Sequence, residues 1–105
     1  MGFMELEVLH IADCPNWREV RERAALALAA LNRSDVTVTY RVVQNPEEAA
    51  RAAFAGSPTL TLNGSDLFPS DGSTADLACR IYVTPHGLAG LPTTQQIADA
   101  LALKL

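Results

Sequence analysis

Residues 4–11 read Met4-Glu5-Leu6-Glu7-Val8-Leu9-His10-Ile11. Successive side chains of a strand point to opposite faces, so Leu6, Val8 and His10 share one face while Leu9 and Ile11 share the other. Apolar residues on both faces predict an interior strand. Such a strand needs cover on each side, and the flanking segments read as helices that can supply it.

Asp13-Cys14-Pro15-Asn16-Trp17 comes next. Pro15 suits a first helical position, which predicts Cys14 as the N-cap residue. Trp17, Val20, Ala24, Leu28 and Leu31 then recur in steps of three and four, the stripe of an amphipathic helix, with Arg18, Glu19, Arg21, Glu22 and Arg23 outside. Residues 36–43, VTVTYRVV, alternate as a strand: Val36, Val38, Tyr40 and Val42 against Thr37, Thr39 and Arg41. Asn45 as cap, Pro46 at the first position and two acids behind them predict a short second helix ending by Gly56. Ser57 to Leu62 reads as a third strand closed by the turn pair Asn63-Gly64. A loop is expected from Ser65 to about Ala75, a fourth strand over 77–83, and a second loop over 84–92. Thr93 with Gln96 forms a capping-box pattern ahead of a last helix carrying Ile97, Ala100, Leu101 and Lys104.

The order βαβαββα predicts an α/β fold in one domain spanning residues 1–105. The first strand–helix–strand units predict parallel pairing, and the last two strands an antiparallel hairpin. The expected core is a mixed four-stranded sheet with flanking helices.

The chain has 105 residues, 49% of them apolar, enough for a core without disulfide staples. Its formal charge of −4 argues against a nucleic-acid partner. The longest apolar run, Ala24 to Leu31, is far short of a membrane span. No export signal is visible, so the expected location is cytoplasmic, with two free thiols. Two cysteines and two histidines lack the close spacing of a zinc site, and neither a metal nor a cofactor is expected. Oligomeric state is not set by these features.

Cys14 is the leading candidate for chemistry. A helix start gathers unpaired N–H groups and a positive dipole end, and both favour thiolate, the nucleophilic form. An inert buried cysteine is the alternative. Cys79 has three readings: a thiol that resolves an adduct on Cys14, a partner to Cys14 on a soft metal, or a core residue. His10 is read as packed and hydrogen-bonded, with a base that acts on the thiol or lowers its pKa as the alternative; His86 is read as solvated, and Arg80 as a surface charge or else a holder of an anion or carboxylate near the thiol. Trp17 is read as packing that can also wall the thiol from solvent. Asp66, Asp71 and Asp76 lack the calcium-loop pattern.

Strand order, the cysteine before the first helix and Gly56-Ser57-Pro58-Thr59-Leu60 together resemble the thioredoxin fold. The pieces "DCPNW", "GSPT", "DLF" and "CRIY" are similar to small bacterial thioredoxin-like proteins loosely grouped with alkylmercury lyases. The resemblance implies that Cys14 matches the first cysteine of a Cys-x-x-Cys motif. It also implies a cis Pro58 beside it that, with Ser57 and Trp17, shapes a substrate groove. Trp17 stands where the second motif cysteine would be, so a two-cysteine cycle within the motif is impossible. Organomercurial lyases use two cysteines and an aspartate; Cys14, Cys79 and Asp13 are the available matches, but the chain lacks room for their additional helical domain. The expected function is a thiol-dependent redox protein acting on a thiol or disulfide substrate, protein or small molecule. Cys14 is its nucleophile and Cys79 the possible resolving thiol. The alternatives are a binding module without turnover and soft-metal or organomercury handling.

Overall fold

The computed structural model describes residues 4–52, 54–68 and 79–105. Strand β1 (Met4–His10) lies inside a sheet of four strands, between β2 (Val36–Val42) and β3 (Thr59–Leu62). β1 runs parallel to β2 and antiparallel to β3, whose other side carries β4 (Ser65–Asp66). The sheet is therefore mixed, as expected, with order β2-β1-β3-β4. Only the first strand–helix–strand unit gives a parallel pair; β3 reverses direction against β1, which corrects the expectation for the second unit.

The two-faced pattern of residues 4–11 produces two apolar layers. Leu6 and Val8 pack with Val20, Ala24, Leu28, Leu60, Ile97 and Leu101, joining the sheet to α1 (Trp17–Ala30) and α3 (Thr94–Lys104). On the opposite face Leu9 packs with Val43, Ala49 and Phe54 under the short helix α2 (Pro46–Arg51). Fully burying a Leu, Val or Phe side chain contributes roughly 1.5–3 kcal/mol, so the larger α1–α3 layer carries most of the fold.

Local end signals act where the sequence places them. Asn45 accepts from the Glu48 N–H at 2.9 Å, with Pro46 at the helix start. Thr93 and Gln96 close a reciprocal capping box on α3. Asn63 (φ +52°) and Gly64 (φ +88°) adopt the left-handed turn that joins β3 to β4.

Three boundaries differ from expectation. α1 starts at Trp17 with Asn16 as its N-cap, so Cys14 precedes the cap by two residues. The first helical bond runs from Val20 N–H to Asn16 O, and the Cys14 N–H is already committed to Ile11 O at 3.2 Å. The fourth strand of the sheet is β4, within the segment expected to be loop, because the tight Asn63-Gly64 turn sends the chain straight back along β3. Residues 82–84 instead form β5 (Tyr82–Thr84), paired with β6 (Gly87–Ala89) in a separate hairpin. That hairpin also replaces part of the loop expected over 84–92. Leu77 and the rest of the anticipated fourth strand before Cys79, like Asp71 and Asp76, lie outside the described residues.

Candidate functional site around Cys14 and Pro58

Cys14 sits where β1 ends and the chain turns into α1. The 3.2 Å bond from its N–H to Ile11 O closes that turn. The Ile11 N–H in turn donates to Ser57 Oγ at 3.0 Å, tying the turn to the loop before β3. The Ser57–Pro58 peptide bond is cis, as the resemblance implies. Cys14 is only 3% exposed, Ser57 is fully buried, and Pro58 is buried with them. Ser57 and Pro58, expected to shape a groove with Trp17, are thus buried side chains among the described residues. Cys14 and Cys79 are both free thiols. Among the described residues no hydrogen bond reaches Cys14 Sγ.

Residues 79–82 lie against Ser57 and Pro58. Cys79 forms a parallel bridge with Ser57, and the Arg80 N–H donates to Ser57 O at 2.9 Å. Gly56 makes this approach possible: its φ is +108°, and an added Cβ would stand 2.8 Å from Arg80 Cβ. Along this strap Cys79 and Ile81 are exposed while Arg80 and Tyr82 are buried. Alternation thus turns Arg80 and Tyr82 inward and Cys79 outward.

Both inward residues are latched. The Tyr82 hydroxyl donates to Pro58 O at 2.5 Å. Burial raises the Tyr82 phenol well above its ordinary pKa of 10.0; Arg80 opposes the shift, and charge on Asp66 or Cys14 adds to it. Arg80 was expected on the surface, but its side chain is buried. Its guanidinium pairs with Asp66 at 3.0 Å, bonds Phe68 O, and lies 4.7 Å over the Tyr82 ring. The burial follows from that pairing, since a guanidinium leaves water only when its donors find acceptors. Phe68 meets Tyr82 edge-on at 5.7 Å.

Further along, Gly90 rests against Asn16 at the start of α1, and Arg23 Nη1 donates to Pro92 O at 2.8 Å. Gln96 has a second task beyond its cap: its Nε2 donates to Val83 O at 2.8 Å, fastening the hairpin to α3. The segment 79–92 is thus pinned to the Pro58 loop, to α1 and to α3.

Trp17 packs among aromatic and basic side chains at the start of α1. Its ring stacks on His10 at 4.4 Å, nearly parallel, and meets Tyr40 at 5.0 Å. Arg18 and Arg21 lie over the Trp17 ring, and Arg21 also lies over Tyr40. His10 is buried, as expected, but only half satisfied. Nδ1 is 3.1 Å from Ile11 O, which makes it the protonated nitrogen, while Nε2 is buried without a partner among the described residues. His86 is exposed in the β5–β6 turn and Asp13 is exposed beside Cys14.

On the open side of the Cys14 turn, Ile11, Ala12 and Asp13 face Val42, Val43 and Gln44 across a concavity of about 340 Å³. This place, past the carboxyl ends of parallel strands, is where open α/β sheets commonly take ligands. Among the described residues no group of three or more His, Cys, Asp or Glu side chains is placed to hold a metal ion. No described helix is long and apolar enough to cross a membrane.

Sequence reasoning missed Asp66, Tyr82 and Gly56 as parts of this site. The alternation of Cys79-Arg80-Ile81-Tyr82-Val83 held the signal, because an inward Tyr82 requires an inward Arg80, and an inward Arg80 requires an acid. No family model, no curated protein and no solved structure matches the chain.

Proposed function

We propose that this chain is a thioredoxin-like, thiol-dependent redox protein whose nucleophile is Cys14. One observation carries the reading: a free thiol at the end of β1 is tied through Ile11 to the Ser57–Pro58 loop, beside an open concavity. The sheet order and the cis Ser57–Pro58 bond are in keeping with it.

In the proposed step the Cys14 thiolate attacks one sulfur of a disulfide. A Cys14–substrate mixed disulfide forms and the other substrate sulfur leaves as thiolate. A second thiolate then attacks the mixed disulfide: Cys79 at Cys14 Sγ, which releases the first substrate sulfur and leaves a Cys14–Cys79 disulfide, or an external thiol at the substrate sulfur, which joins that sulfur and returns Cys14 as thiolate. Cys79 supplies that second thiol only if the strap turns over, because its side chain faces away from the side on which Tyr82 lies. An external thiol can attack without that rearrangement.

The test is disulfide exchange with a small disulfide and with an oxidised protein. Cys14→Ser is expected to abolish turnover, while Cys79→Ser keeps it when an external thiol is present. Unchanged turnover in Cys14→Ser would refute the reading. The burial of Cys14 and the closed Pro58 loop favour a second reading, a scaffold that binds without turnover. It predicts that Cys14→Ser leaves partner binding intact and that wild type shows no exchange.

A further inference from the structure

β2 is an edge strand: among the described residues it pairs only with β1. The Val43 N–H points inward to His10 O. Backbone groups of a strand alternate in direction, so the odd-numbered residues of β2 face β1 and the even-numbered ones face out. Val36, Val38, Tyr40 and Val42 therefore offer their N–H and C=O groups along an unpaired edge. The strand is seven residues long, rich in β-branched residues, and contains neither proline nor bulge. It lacks most of the devices that keep edges apart.

We infer that this edge pairs with the same edge of a second copy, antiparallel and centred on Thr39, to make a two-fold dimer. This register overlaps the whole strand, opposing Val36 to Val42 and Val38 to Tyr40. All the outward groups meet in hydrogen-bonded pairs, on the order of eight bonds in total. Thr39 then faces its own copy in a close, non-hydrogen-bonded pair. Facing threonines in such a pair can bond one another.

Both faces of the edge fit themselves. On the α1 face, Tyr40 is 53% exposed, and Val36 and Val38 floor an open groove of about 390 Å³ walled by Ala25 and Ala29. The register sets the Tyr40 of each copy opposite Val38 of the other, at that groove. On the other face Arg41 comes opposite Thr37, whose neighbour on β1 is Glu5. An arginine is thereby directed toward an acid, with no like charge directly opposite. One strand pair and two small grooves, one on each copy, fall in the class of interfaces below about 1,200 Å², so the dimer dissociates on dilution.

The experiment combines sedimentation of the wild-type chain between about 1 µM and 1 mM with cross-linking in a Cys79→Ser background. Expected are a reversible monomer–dimer equilibrium and rapid disulfide dimerisation of Thr39→Cys under diamide. Thr37→Cys and Arg41→Cys alone should stay monomeric but cross-link when mixed, since the register opposes them. Arg41→Glu should weaken the dimer at least severalfold, and adding Glu5→Arg should restore it. A chain monomeric throughout that range, or three cysteine variants that cross-link at one rate, overturns the inference. So does a chain that dimerises only when an acidic peptide is added.

Discussion

Two regions of the sheet treat their exposed backbone in opposite ways. At the Ser57–Pro58 loop a distant segment crosses over and takes up Ser57 O and Pro58 O, and Cys14 is buried at the neighbouring turn. Along β2 nothing among the described residues crosses over, and a row of peptide groups faces outward. Closure at the first region depends on a few specific contacts: a glycine, an ion pair and a phenol. The second needs none, because its exposed groups meet solvent until a matching strand arrives. A closed region can be broken by point substitutions, whereas an open one responds mainly to concentration.

The strongest way to break the contrast is Gly56→Ala. It places a Cβ against Arg80 at a φ of +108° and should cost about 2–4 kcal/mol, read as a lowered denaturation midpoint. Arg80→Met ranks close behind. It leaves Asp66, whose side chain is 16% exposed, without its cation, and should cost about 2–4 kcal/mol by the same measurement. Neither change should alter pairing along β2, so sedimentation of the folded variants checks that the two regions are independent.

Tyr82→Phe is gentler. It leaves Pro58 O without its donor and should cost about 1–2 kcal/mol. It also carries a pH signature. The folded-state pKa of Tyr82 is raised, so its contribution is complete below pH about 10 and is lost as pH rises further, when the unfolded chain ionises first. Thermal melts of wild type should therefore fall more steeply above pH 10 than those of Tyr82→Phe. Gln96→Glu has the smallest expected effect. The acceptor for the Thr93 N–H survives while the donor to Val83 O is lost, which should cost about 0.5–1 kcal/mol and raise hydrogen exchange in the β5–β6 hairpin.

The parts of the fold legible in the sequence are those fixed by neighbours in the chain. The two-faced pattern of residues 4–11 marked the interior strand, VTVTYRVV marked β2, and Asn45 and Thr93 marked helix starts through contacts three residues away. Pro15 fits a first helical position and so predicts an earlier start for α1, whereas the turn bond from Cys14 to Ile11 goes with a start at Trp17. Ser65 and Asp66 carry turn-like composition and become a strand because β3 is beside them. The candidate site divides the same way. Cys14 and Pro58 stood out by residue type, whereas the latch joins Arg80 to Asp66 and Tyr82 to Pro58, partners that no local pattern pairs.

The most direct test of the account is the labelling rate of Cys14 by a thiol reagent in a Cys79→Ser chain. The burial of Cys14 beside the latched Ser57–Pro58 loop predicts labelling at least about 100-fold slower than in the unfolded chain, since access waits on local opening. Tyr82→Phe should then speed labelling by about tenfold, as the loss of 1–2 kcal/mol from the latch requires. Labelling of the folded chain at the unfolded rate, with Tyr82→Phe making no difference, would contradict it.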